Sequence, residues 1–121
     1  MRFLSMIRID ETSGQEPSDR LMTDMGALIQ ELTETGVLVT TAGLRPTSEG
    51  VRLRLRRGQI SITDGLFTET KEVIGGYALL EVASKEEAIE VTERFLRVHG
   101  EDWDIECEVR RLDGPEFGVN G

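Results

Sequence analysis

Two short stretches constrain the fold most, because each predicts a strand that is apolar on both faces. In Arg2 to Ile9, Phe3, Ile7 and Ile9 alternate to one face while Leu4 and Met6 project to the other. In Tyr77 to Val82, Tyr77 and Leu79 share one face, and Ala78, Leu80 and Val82 share the opposite one. Strands of this kind need cover on both sides and belong in the middle of a layered domain. At 121 residues the chain is long enough for one such domain and too short for two.

Two amphipathic helices supply cover for one side. Ser18 is a predicted N-cap, and Leu21, Met22, Met25, Leu28, Ile29 and Leu32 recur behind it at helical spacing until Gly36. Ser84 and Glu87 form a capping box, followed by an inward stripe of Ala88, Ile89, Thr92, Phe95 and Leu96 and a stop at Gly100. The Met22 and Met25 pair reads as core packing, and His99 as a cation at a helix C-terminus.

The remaining strands are Val37 to Ala42, Val51 to Arg56, a run through Ile60 and Ile62, and Asp104 to Arg110 with Ile105, Cys107 and Val109 inward. Arg57-Gly58 predicts a tight hairpin between the third and fourth strands. The resulting β-α-β-β-β-α-β order predicts an α+β, ferredoxin-like antiparallel sheet over residues 1–112, with two helices on one face. Residues 113–121 read as a flexible tail. The second apolar face of the central strands then calls for a second copy, so a homodimer packed sheet to sheet is expected.

The formal charge is −9, from 23 acidic against 14 basic residues, which argues against nucleic-acid and anionic-membrane partners. The single cysteine, Cys107, has no internal disulfide partner and predicts a reducing, cytoplasmic setting. Met1 to Arg8 has no long apolar run, so no signal peptide or membrane segment is expected. No cofactor fingerprint, phosphate loop or zinc-type cluster is present in the sequence.

Charge and flexible backbone concentrate between Ile62 and Tyr77. Asp64-Gly65 predicts a turn, Glu69, Lys71 and Glu72 follow closely, and Gly75-Gly76 leads back into a strand at Tyr77. Adjacent carboxylates tune one another for acid–base work, which makes Asp64 and Glu69 catalytic candidates, or they hold a hard cation. The plainer alternative is a turn with solvated surface charges. Arg52, Arg54 and Arg56 line one face of their strand and suit a carboxylate or phosphate ligand, or else an acid-paired surface. Cys107 reads as core, and Tyr77 either as a pocket cap or as interface filling.

The run Thr63-Asp64-Gly65-Leu66-Phe67-Thr68-Glu69-Thr70-Lys71-Glu72 resembles the YCII-related family in its DGPF-domain branch. Asp64, Gly65, Phe67, Glu69, Lys71, Glu72, Gly75, Gly76 and Tyr77 match that branch's motif, and Leu66 stands where the motif has proline. Gly36, Glu86-Glu87-Ala88 and Glu108-Val109-Arg110 extend the resemblance over most of the chain. It implies a ferredoxin-like fold that dimerises into an α/β barrel. A loop motif of this length invites a functional explanation, and Asp64, Phe67, Glu69, Lys71, Glu72 and Tyr77, with Arg54 of the arginine face, are the expected ligand-binding residues. Related YCII proteins carry a histidine–aspartate pair suggested as catalytic, with the histidine near the first helix. The only histidine here is His99, which takes away that route to an enzyme.

Three functions are therefore expected in order. The first is a small dimeric protein binding a small polar ligand beside the Asp64–Tyr77 loop. The second is an enzyme using carboxylate acid–base chemistry on a small metabolite. The third is a sigma-factor-linked accessory protein, implied only because some family members are encoded beside alternative sigma factors.

Overall fold

The computed structural model describes residues 1–67 and 71–114. Its elements run β1 (Arg2–Ile9), α1 (Asp19–Glu34), β2 (Leu38–Gly43), a 3-10 turn (Thr47–Glu49), β3 (Val51–Arg56), β4 (Gln59–Asp64), β5 (Val73–Glu81), α2 (Lys85–His99) and β6 (Glu106–Arg111). The main sheet has the order β2-β5-β1-β6, with every neighbouring pair antiparallel. The doubly apolar strands β1 and β5 lie at its centre, as their patterning requires. This is the ferredoxin-like α+β arrangement predicted from the sequence.

Paired rows set the two faces of the sheet. Phe3 lies opposite Leu80 and Ser5 opposite Ala78, and this side packs on the helices. Leu4 lies opposite Leu79 and Met6 opposite Tyr77, on the other side. The core joins Phe3, Leu38, Ala78, Leu80 and Val82 of the sheet side to Leu28 and Leu32 of α1 and Ala88 and Val91 of α2. One buried polar contact crosses it, the Thr92 hydroxyl bonded to the Ser5 hydroxyl at 3.1 Å.

Local chemistry explains the helix ends. The Ser18 hydroxyl accepts from the Leu21 N–H at 3.1 Å, and the Ser84 hydroxyl accepts from the Glu87 N–H at 3.1 Å. The Glu87 carboxylate accepts from the Ala83 N–H at 2.7 Å, one residue before the N-cap, a variant of the capping-box bond. Arg20 of α1 donates to the carbonyls of Val98 and His99, covering the acceptor end of α2. The His99 ring bonds the Phe95 carbonyl at 2.8 Å and meets Trp103 edge-on at 5.4 Å.

Several expectations are corrected. Met22 is 62% exposed, so it is not core; α1 presents Leu21, Leu28 and Leu32 inward and Met25 only partly. Ile89 is exposed and Val91 takes its place, because the buried stripe of α2 lies a fraction of a turn from the one predicted. Strand β6 begins at Glu106, so Asp104 and Ile105 precede it. The diglycine sits inside β5, not before it, and neither glycine has positive φ. The hairpin β3–β4 forms a separate two-stranded sheet. At its turn Arg57 and Gly58 have φ of 52° and 79°, the left-handed pair that a two-residue hairpin uses.

Leu80 is the largest side chain wholly out of solvent. Leu80→Ala is expected to lower unfolding free energy by about 2–5 kcal/mol, from lost burial plus the cavity left behind. Urea denaturation followed by circular dichroism measures this. Glu31 accepts two bonds from Arg94, and these hold its carboxyl below the usual range. A lowered folded-state pKa stabilises the fold above the unfolded value, and that stabilisation disappears as pH falls through the folded value. Glu31→Gln should therefore flatten part of the acid-side decline in the urea midpoint, read between neutral and strongly acid pH.

Candidate functional site

The site is built outward from one threonine. Thr47 opens the 3-10 turn after Pro46. Its N–H donates to the Glu11 carboxylate at 3.0 Å, and its hydroxyl donates to the same carboxylate. That hydroxyl in turn accepts from the Phe67 N–H at 3.2 Å. Thr47 thus ties together the loop after β1, the turn before β3 and the loop after β4. The Gly65 N–H donates to the Gly50 carbonyl at 2.9 Å, closing the base of the hairpin. A Cβ on Gly65 would lie 1.7 Å from the Thr47 carbonyl oxygen. Gly65 is therefore required by backbone approach, and Asp64 belongs to β4 instead of opening a free turn.

From that base Phe67, half-buried, lies beneath Arg52, whose guanidinium carbon is 4.1 Å from the ring centroid. The contact is a cation–π stack that joins the loop to the arginine face of the hairpin. Residues 68–70, including Glu69, lie outside the described residues.

Where the loop returns, Lys71 is exposed and its charge helps to hold the Asp10 carboxyl below its usual range, after the larger effect of the Thr12 hydroxyl and N–H. Glu72 approaches Arg8 at 3.6 Å, and Arg8 also approaches Glu108 at 3.7 Å. A β-bulge follows: Ile7 pairs with Gly76 and Arg8 with Ile74, leaving Gly75 as the extra residue. The Gly75 carbonyl accepts from the Leu44 N–H at 2.9 Å. A Cβ there would come 2.7 Å from Ile9 Cδ1, and one on Gly76 would come 3.0 Å from the Ala42 carbonyl oxygen. Close packing, not left-handed backbone, is the reason for the pair.

The predicted site residues are thus placed in three neighbourhoods. Arg54 lies opposite Ser61 on one face of the hairpin, whereas Asp64 lies opposite Val51 in the register of the other face. Phe67 belongs to the Thr47 turn. Glu72 and Tyr77 belong to the edge and open face of the main sheet, where Tyr77 lies between Met6 and Ala42. Asp64 is exposed. Burial pushes the Cys107 thiol up, against a smaller opposing effect of a hydrogen bond with Ser5.

A recess of about 570 Å³ lies along the hairpin, lined by Arg52, Leu53, Arg54, Leu55, Ser61 and Thr63. Among the described residues, guanidinium and hydroxyl groups line it beside Leu53 and Leu55. No cluster of three or more metal-type ligands occurs among the described residues. No helix among them is long and apolar enough to cross a membrane. Sequence reasoning missed Glu11, Thr47 and Arg8. Arg8 alone had a signal, as a charge interrupting an otherwise apolar strand.

The fold and this loop define the class: a ferredoxin-like domain with a detached arginine-bearing hairpin, tied at its base to the loop that follows. The chain belongs to the YCII-related domain family, whose model matches residues 1–99. It is similar to an uncharacterized protein of Rhizobium meliloti (strain 1021), 37% identical over 76 residues. That match covers 63% of this chain and 61% of the relative's length.

Two substitutions test the base of the site. Gly65→Ala is expected to cost at least about 1–3 kcal/mol, since the new methyl meets backbone that cannot rotate away. Gly75→Val should cost about 1–3 kcal/mol, with partial recovery when Ile9→Ala makes room. Thermal and urea unfolding of the single and double variants measure both; an unchanged Tm for Gly75→Val would mean the bulge tolerates a side chain.

Proposed function

We propose that this chain is a dimeric protein that binds a small anionic ligand, a carboxylate or phosphate compound, beside the loop from Asp64 to Tyr77. The observation that carries this reading is the recess along the hairpin, where Arg54 stands with Ser61 and Thr63 and where Arg52 connects it to Phe67 of the loop. Guanidinium groups bind such anions through paired N–H donors, and the hydroxyls supply neutral donors that refine orientation. Lys71 and Glu72, where the loop returns to the main sheet, complete the proposed site from the loop side. The loop motif also supports the DGPF branch within the family.

Dimerisation is supported by the open face of the main sheet, where Leu4, Met6, Tyr77 and Leu79 lie partly exposed and Ile74 is 46% exposed. Apolar rows on a sheet face with no layer over them favour a second copy. A lone thiol suits a reducing compartment, and we place the protein in the cytoplasm on that ground. The alternatives, acid–base catalysis and a sigma-factor partner, have no comparable observation behind them.

A thermal-shift series with inorganic phosphate and with di- and tricarboxylates tests the reading on wild type, Arg54→Ala and the Asp64→Asn, Glu69→Gln pair. A ligand present at a hundred times its Kd stabilises by about 2.7 kcal/mol, a readily measured shift. The expected result is a saturable shift in wild type, weakened by salt and lost in Arg54→Ala. A shift that survives Arg54→Ala unchanged would remove the hairpin from the site, and no shift with any anion would overturn the proposal.

A further inference from the structure

The β3–β4 hairpin is the element whose surface its own chain leaves least covered. Its register places Val51, Leu53, Leu55, Ile60 and Ile62 on one face. They are 48, 63, 71, 67 and 66% exposed. A two-stranded hairpin is marginally stable in water unless one face packs on something, and a contiguous exposed apolar patch marks an interaction surface. The arginine face already meets the chain's own loop, through Phe67 against Arg52. The apolar face is the one that calls for a partner.

Charge selects the occupant. Residues 51–64 contain four arginines and one aspartate, a net +3 in a chain of net −9, which leaves −12 on the remainder. A basic, apolar arm and an acidic body are complementary between two copies of the same chain. A nucleic acid or an anionic membrane would meet the same arm but be repelled by the body. We infer that the β3–β4 hairpin is an arm that lays Leu53, Leu55, Ile60 and Ile62 on a second copy of this chain, with the second arm doing the same by two-fold symmetry. The inference rests on the dimer reading above and adds the surface that makes the contact.

Sedimentation equilibrium over a range of concentrations tests it on the full chain. Three proteins are compared: wild type, the Leu53→Glu, Ile62→Glu pair on the arm, and Leu79→Glu on the open sheet face, each checked for folding by circular dichroism. The arm pair is expected to raise the dimer Kd by at least about tenfold, as loss of a buried apolar anchor does. A second measurement is independent of those variants: a benzophenone carried on Leu55→Cys in a Cys107→Ser chain should give a covalent dimer on irradiation. A dimer that is insensitive to the arm pair but lost in Leu79→Glu would overturn the arm and leave the sheet-face dimer standing. Cross-links confined within one chain would overturn the arm as well, and a monomeric wild type would overturn both readings.

Discussion

The pairing of β1 with β5 holds the rest of the molecule in place. Both strands are apolar on both sides, and their register aligns Phe3 with Leu80 and Leu4 with Leu79. One side of this pair makes the core with α1, α2 and β2. The other side makes the open face. A one-residue slip would send Leu80, which has no solvent exposure, to the wrong side, so the register is held by the whole core. The bulge at Gly75 is the one place where the two strands lose step, and it coincides with the return of the loop.

Around that frame the two ends of the loop are tied by hydrogen bonds to residues distant in the chain. Thr47 receives Phe67, donates to Glu11 and presents its carbonyl to Gly65. These bonds anchor the start of the loop, while the Leu44 bond to the Gly75 carbonyl anchors its end. The loop thus starts from the turn before β3 and ends on the main sheet.

Electrostatics divides the molecule. The helical layer carries ion pairs such as Glu31 with Arg94 and Arg20 with Asp24, which are exposed and screened. Four arginines gather on the hairpin instead, in a chain with surplus carboxylates. The proposed anion site and the proposed contact between copies both rest on that separation of charge within one small domain.

The sequence alone determined the element order, the central position of β1 and β5, the capping of both helices and the family. Period-two and period-3.6 patterns, cap chemistry and a long loop motif are local signals that do not depend on distant contacts. The opposite faces of Arg54 and Val51 were legible for the same reason, since alternation along a strand is local. The tertiary structure decided what depends on atoms far apart in the chain. It put Met22 and Ile89 outside, because the exact burial of a helix face depends on how it crosses the sheet. It made Gly65 and Gly75 packing glycines, because the atoms they avoid belong to Thr47 and Ile9. It detached the hairpin, and so left a row of alternating leucines and isoleucines as exposed surface. Thr47 and Glu11 were invisible beforehand because a hydrogen bond spanning 36 residues leaves no periodic trace in either segment.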